Sequence, residues 1–391
     1  MIVRLRWFYF LYYAGVGTFL SYFAPYLRGL GFSGAQIGWV TFAQQTVGAP
    51  SALVWGSFAD RLGARPRALG LCTAGTFLAL SGLPFARTPG QVGLLLVLSA
   101  LFSGAIVPLV DSTTVEAVKR ERGHSYARTR LWGSVGFVVT AQGLGLLLAA
   151  RGDRPADAAM PFAYLACIAA FTAVAQGFSR PARTEEAKEA RAERPHWRDT
   201  LLLLRDRRLL LLLGMCAVHW AACAPYHLMF GVLVRDHGLS SGVTGAGLSL
   251  GVLAEVLALL CFPALLRSLS LRALFALAFA GSALRWELVS LAHGAVALVG
   301  LQLLHALSFG LWWGCAVEAM QRVVPVRLRA TGQALFSAVV FAGGNAAGYA
   351  LSGKLYDKFR SASPLYAWAA VVEMLPLLLL LAPLSREKTR A

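Results

Sequence analysis

Stretches of about twenty apolar residues recur along this chain too often for one aqueous core to bury them, and that recurrence limits its fold more than any other feature. A helix that crosses a bilayer needs about 20 largely apolar residues. Twelve such stretches are predicted, at 7–27, 36–58, 68–86, 91–115, 131–150, 158–178, 209–233, 242–265, 273–292, 295–320, 331–353 and 363–383. Only 14% of the 391 residues are charged and 57% are hydrophobic, whereas soluble domains carry about 25% charge. Helices are the expected form, because lipid offers backbone N–H and C=O groups no partner. The fold class is therefore an all-α membrane protein of twelve transmembrane helices. Pro25, Pro50, Pro108, Pro225 and Pro263 fall inside these stretches, where kinks are expected. Gly343, Gly344 and the spaced small residues of 331–353 suit close helix packing.

One segment breaks the pattern. Residues 179–201 are polar, charged and rich in Ala, Glu and Arg. They divide the chain into two blocks of six stretches. The expected organisation is a first bundle at 1–178, a cytoplasmic linker at 179–207 and a second bundle at 208–391. With both termini placed inside, 27 of the 36 Lys and Arg residues fall in inside segments and 8 in outside segments. Arg285 is left within a span. Cytoplasmic loops collect Lys and Arg, so this asymmetry favours an even number of spans with both termini cytoplasmic. The local group Lys354, Lys358 and Arg360 runs against it. The same rule gives the net charge of +17 a bland explanation, and nucleic acid is not an expected partner. Arg4 and Arg6 precede a long aromatic run with no cleavage site following, which reads as an uncleaved first span. Cys72, Cys167, Cys216, Cys223, Cys261 and Cys315 all lie in apolar stretches, and no two make a C-x-x-C pair. They read as packing residues, so neither a disulfide framework nor a metal site is expected.

Two sets of motifs make the reading specific. Gly56-Ser-Phe-Ala-Asp60-Arg61-Leu-Gly63-Ala-Arg65 lies between the second and third spans. It resembles the loop signature of the major facilitator superfamily, G-x-x-x-D-R-x-G-x-R. A helix end, a tight glycine turn and a carboxylate near arginine can latch one state of a rocking protein. The second set comprises Pro108-Leu-Val-Asp111, Arg130-Leu-Trp-Gly-Ser-Val-Gly-Phe137, Leu248-Ser-Leu-Gly-Val-Leu-Ala-Glu255, Arg285-Trp286 and Leu304-His305-Ala-Leu-Ser308-Phe309. Together these look like the 3-phenylpropionate permease family, a relative of the lactose and nucleoside proton symporters, over most of the chain. The resemblance implies the major facilitator fold, two six-helix bundles (6+6), and proton-coupled solute transport by alternating access. Through the lactose permease relatives it matches Glu255 to their eighth-span carboxylate, Arg285 to their buried ninth-span arginine and His305 to their tenth-span histidine. It matches Arg130 to the arginine opening the fifth span and sets Glu116 against a fourth-span carboxylate. The proton-carrying glutamate of the lactose permease relatives falls at Ser308, which cannot carry that proton. Their aromatic stacking position holds Phe137, which fits a less sugar-like ligand.

An ionisable group at membrane depth costs several kcal/mol and is functional by default. Glu255 has apolar or small flanks and no other charge in its span, so it is a candidate proton carrier. Arg285 is a permanent cation needing a counter-charge, from Glu255, Asp111 or an anionic substrate. Glu287 stands about 200° from it around the helix and is not its same-face partner. Asp111 follows a proline and either pairs structurally with Arg130 or serves the site. His305 has two ring nitrogens with which to bridge neighbours. Glu116, Glu318 and Arg130 lie near cytoplasmic ends, where snorkelling relieves them. His219 and His227 are eight residues apart, with Cys223 between, and share roughly one helix face as polar lining. Tyr226, Trp220, Tyr13, Gln44 and Asn345 are softer candidates for the cavity wall. No nucleophile–base pair, phosphate loop or ligand cluster suggests an enzyme. No cofactor is expected, and the proton is the expected coupling ion. The expected partners are a small organic solute, favouring an aryl carboxylate, and the lipid bilayer, with a monomer as the working unit. A bacterial cytoplasmic (inner) membrane is the expected location. A sugar or nucleoside symporter, an efflux transporter and a non-transporting assembly factor are the competing readings.

Overall fold

The computed structural model describes residues 1–62, 65–121, 123–178 and 203–381. Among these, helices account for every regular element and there is no strand. Twelve helical rods follow one another: α1 Ile2–Gly29, α2 Gly34–Leu62, α3 Arg65–Leu80, α4 Pro89–Arg120, α5 Tyr126–Ala150, α6 Ala159–Gln176, α7 Arg207–Asp236, α8 Ser241–Ser268, α9 Leu271–Leu291, α10 Ala295–Val323, α11 Thr331–Phe359 and α12 Ser363–Leu381. Ten of them, α3 to α12, are long and apolar enough to cross a membrane. The first two are long enough, but their Tyr, Trp, Gly and Gln residues lower the mean hydropathy. The linker expected at 179–207 lies outside the described residues as far as position 202.

Several rods begin where side chains satisfy the first free N–H groups. Thr88 and Gln91 form a reciprocal cap at the start of α4. Ser125, Asp206 and Ser270 accept backbone N–H groups at the starts of α5, α7 and α9. The five prolines take two kinds of place in the rods. Helices run through Pro25, Pro50 and Pro263. Pro108 and Pro225 sit in the first turn of a renewed helix, after interruptions at Gly104–Ala105 and Cys223. A missing N–H is harmless in a first turn. The larger irregularities hold no proline. In α10 a 3-10 segment at Leu301–Leu304 leads into a π segment at Ala306–Leu311, and α11 has a π segment at Ser337–Gly343. Such segments re-aim side chains and recur at functional sites.

Contacts group the chain into two compact units. The first is Met1–Glu193 with His227–Ser249 and Tyr349–Arg360; the second is Arg194–Tyr226 with Leu250–Gly348 and Ser361–Ala391. In the first unit, α1 and α5 touch through backbone. A Cβ on Gly136 would lie 2.0 Å from the Phe10 carbonyl oxygen. The same unit joins its far helix ends by polar contacts. Asp357 accepts the N–H groups of Gly34 at 2.6 Å and Ala35 at 2.8 Å, capping α2. Arg235 pairs with Asp153 at 3.3 Å, and Tyr356 donates to Asp236 at 3.0 Å. A cavity of about 390 Å³ lies among these groups. At its edge Arg151 donates to Asp157 at 2.8 Å and holds that carboxyl below the usual carboxylate range. In the second unit, Trp312, Phe279, Cys216, Leu274 and Phe336 anchor one continuous apolar core.

Candidate functional site

The irregular part of α10 turns Gln302, His305 and Ser308 toward one guanidinium. Arg285 of α9 is fully buried. Its Nη1 donates to His305 Nδ1 at 3.0 Å and to Ser308 Oγ at 2.6 Å, and its Nη2 donates to Gln302 Oε1. The rings of Tyr226 and Trp286 lie over it at 4.3 and 4.4 Å. Arg285 Nε has no hydrogen-bond partner among the described residues. A guanidinium only donates, so His305 Nδ1 accepts and Nε2 carries the ring hydrogen. His305 Nε2 stands 3.3 Å from Glu255 Oε2. The imidazole thus links the cation to the acid, and no carboxylate among the described residues forms an ion pair with Arg285 directly. Glycine permits this geometry. A Cβ on Gly310 would lie 2.9 Å from the Glu255 carbonyl oxygen and 2.6 Å from Ala258 Cβ, so α8 and α10 approach closely there. Glu255 keeps 31% of its side chain exposed. Phe309 stacks on His305 at 4.0 Å and, with Tyr226, gives the site an aromatic wall.

A second polar pair lies in the same unit. His219 Nδ1 contacts Glu373 Oε1, and both side chains are fully buried. His219 Nε2 lies 2.9 Å from the Ser308 backbone oxygen. Glu373 escaped the sequence reading, although it is the only charged residue in α12. The rule that singled out Glu255 applies to it equally. The expectation that His219 and His227 share a face assumed an unbroken helix. The helix is interrupted at Cys223, and His219 is buried among the rings of Trp312 and Phe279.

The first unit holds its own arginine site. Arg130 Nε stands 3.8 Å from Asp111 Oδ1, with side chains 33% and 30% exposed. Its guanidinium donates to the Tyr13 hydroxyl and lies over the Tyr13 and Tyr9 rings at 4.3 and 5.3 Å. Tyr9 donates to Asp111 at 2.6 Å. Glu116 pairs with Arg65, so the fourth-span acid meets the last arginine of the loop motif. Gly56 stands in open space within α2. The side chains of Asp60 and Arg61, and Gly63 itself, lie outside the described residues.

The other candidates scatter. Phe137 is buried on α5, where its carbonyl oxygen would lie 2.8 Å from a Cβ on Gly17. Glu318 pairs with Arg322 one turn along α10, at 2.7 Å, as a helix-surface pair. Glu287 is exposed. Trp220 packs among Trp312, Phe309 and Phe341. Asn345 Oδ1 is buried with no hydrogen-bond partner among the described residues. Gln44 and His227 are half-buried. No group of three His, Cys, Asp or Glu side chains that would hold a metal occurs among the described residues.

Comparison with known proteins adds a lineage to this geometry. The model of the family described as MFS_1 like family matches residues 2–367. The chain is 29% identical over 393 residues to a maltose permease of Geobacillus stearothermophilus, covering 98% of this chain and 94% of that one. It is 26% identical over 360 residues to a probable 3-phenylpropionic acid transporter of Escherichia coli strain K12, covering 89% of each. Among solved structures, that of the nucleoside transporter NupG superposes with a TM-score of 0.83 at 17% identity over 99% of both chains. That likeness bears on the fold alone.

Proposed function

The chain belongs to the MFS_1-like family of multi-pass membrane transporters of small solutes, and from that premise we propose that it takes up a small organic anion, of the aryl carboxylate kind, together with protons. The observation that carries this reading is the state of Arg285. It is a fully buried permanent cation whose partners are a neutral imidazole, a hydroxyl, an amide oxygen and two rings. A buried charge demands compensation. Glu255 supplies it at one remove, through His305.

Protonating Glu255 removes that compensation. His305 Nε2–H then donates to a neutral acid, and Arg285 is left as an uncancelled cation. An entering carboxylate restores neutrality at the guanidinium. Proton and anion therefore favour each other's binding, as linkage requires. The aromatic wall of Tyr226, Trp286 and Phe309 suits the ring of an aryl acid. Alternating access would proceed by rocking of two six-helix halves. The Lys and Arg asymmetry supports both termini on the cytoplasmic side of a bacterial inner membrane.

A second reading, a sugar or nucleoside as the solute, has one specific support: the 29% identity to a maltose permease over nearly the whole chain. Proteoliposomes separate the two. With an inward acid gradient, 3-phenylpropionate is expected to accumulate, and maltose and uridine are not. Glu255→Gln should still exchange the labelled acid across equal pH, yet fail to concentrate it. Undiminished uphill uptake by that variant would remove Glu255 from the mechanism.

A further inference from the structure

The pair His219–Glu373 is unused by the scheme above, and its geometry asks for a proton. A carbonyl oxygen only accepts, so the 2.9 Å contact with the Ser308 oxygen puts a hydrogen on His219 Nε2. The other ring nitrogen faces a carboxyl oxygen of Glu373. That contact forms a hydrogen bond only if one proton lies between them. As acid and neutral imidazole, or as carboxylate and imidazolium, the pair then has no net charge. Without that proton a carboxylate would face an imidazole lone pair, fully buried against the rings of Trp312 and Phe279. The second carboxyl oxygen, Oε2, has no hydrogen-bond partner among the described residues. Two apolar side chains would fill this space at less cost in desolvation than a buried acid.

Ser308 connects this pair to the arginine. Its backbone oxygen takes the His219 Nε2–H, while its hydroxyl takes the Arg285 Nη1–H at 2.6 Å. Both bonds leave one residue inside the π segment of α10. The titratable and charged groups around the pair are Cys216 and Cys223 from α7, Cys315 from α10 and, through Ser308, Arg285 from α9. We infer that His219 and Glu373 form a second proton-binding site, whose occupancy is linked through Ser308 to the charge at Arg285. Releasing the proton leaves one negative charge on the pair, and Arg285 is the cation placed to answer it. Holding the proton leaves Arg285 to a carboxylate ligand. This deepens the proposed proton coupling and rests on it only for its transport consequence.

The decisive test needs no substrate. Nitrogen resonances of ¹⁵N-histidine-labelled protein are followed against pH, and His219 is assigned by their loss in His219→Gln. A single protonation step at His219 is expected in the wild-type protein. It should vanish in Glu373→Gln, which preserves shape and a hydrogen bond but not the shared proton. In Arg285→Gln the step should move to higher pH, because the deprotonated pair has lost its cation. If Arg285→Gln does not fold, Ser308→Ala is read instead: Arg285 keeps its charge but loses its bond to the residue that holds His219, so a smaller shift of the step is expected. A His219 ring unchanged over the whole stable pH range, or the same step persisting in Glu373→Gln, overturns the proton site. An unmoved step overturns the link to Arg285. In proteoliposomes, the proton-to-solute ratio should fall by one proton in Glu373→Gln, and an unchanged ratio overturns the transport consequence. A wild-type protein that moves none of the three solutes would refute the proposed function and leave the resonance result to decide the site alone.

Discussion

Two arginines of this molecule are each laid over a pair of aromatic rings, and their charges are answered in opposite ways. Arg130 has an acid beside it, Asp111 at 3.8 Å, and a third of its side chain is exposed. Arg285 is fully buried, and its acid stands behind an imidazole. Arg130 is therefore answered by a neighbouring carboxylate. Arg285 is cancelled only while His305 and Glu255 keep their present protonation and hydrogen bonds. The first arrangement tolerates small changes. The second can be switched by one proton, which is the property a coupling site needs.

Exchanging the two arginines for lysine gives the sharpest contrast. Lysine keeps the charge and loses the planar fork. At position 285 the fork reaches three acceptors at once, and an ammonium would leave at least one of them bare. Disrupting a buried hydrogen-bonded charge typically costs roughly 2–5 kcal/mol, so Arg285→Lys should lower uptake about 100-fold or more. Equal losses in both variants, measured as initial uptake rate per folded protein, would erase the contrast between the sites.

Arg130→Lys and Asp111→Asn should act more mildly. The pair is about one third exposed, and exposed ion pairs are worth roughly 0–1 kcal/mol, so each substitution should slow transport about fivefold or less. The steepness of the pH dependence should stay, since the proposed protonation sites are elsewhere. A lost pH response in Asp111→Asn would make the first unit a proton carrier as well.

The contrast also marks how far the residue string alone could reach. Arg285, His305 and Glu255 were legible because each is polar in an apolar stretch, and the matched family pattern paired them. Glu287 was set aside by helix geometry, and it is exposed. The parts that depend on broken helix regularity were not legible. The π segment at Ala306–Leu311 brings Ser308 to both Arg285 and His219, a contact no fixed 3.6-residue period describes. Gln302 carries no charge, so nothing in the sequence set it apart from an ordinary amide near a span end. Glu373 answers the rule used for Glu255, a lone charge in an apolar stretch, and only the fold shows its partner, His219. The five prolines do not mark the places where helix type changes, since the 3-10 and π segments of α10 and α11 contain none.

The smallest effect is expected at the loop motif, and it tests whether exposure ranks these charges. Arg65 and Glu116 pair with side chains 38% and 40% exposed, more open than Arg130 and Asp111. Solvent and salt weaken such a pair to at most about 1 kcal/mol. Arg65→Gln should therefore change the uptake rate by roughly two- to threefold, with the solute affinity unchanged. The loss should shrink further as salt is raised, because screening already weakens the wild-type pair. If the motif latches one state of the rocking cycle, the change appears in the maximal rate and not in half-saturation. A deficit at Arg65→Gln as large as that of Arg285→Lys would mean that burial does not order these sites, and that the latch limits the cycle more than the buried charge does.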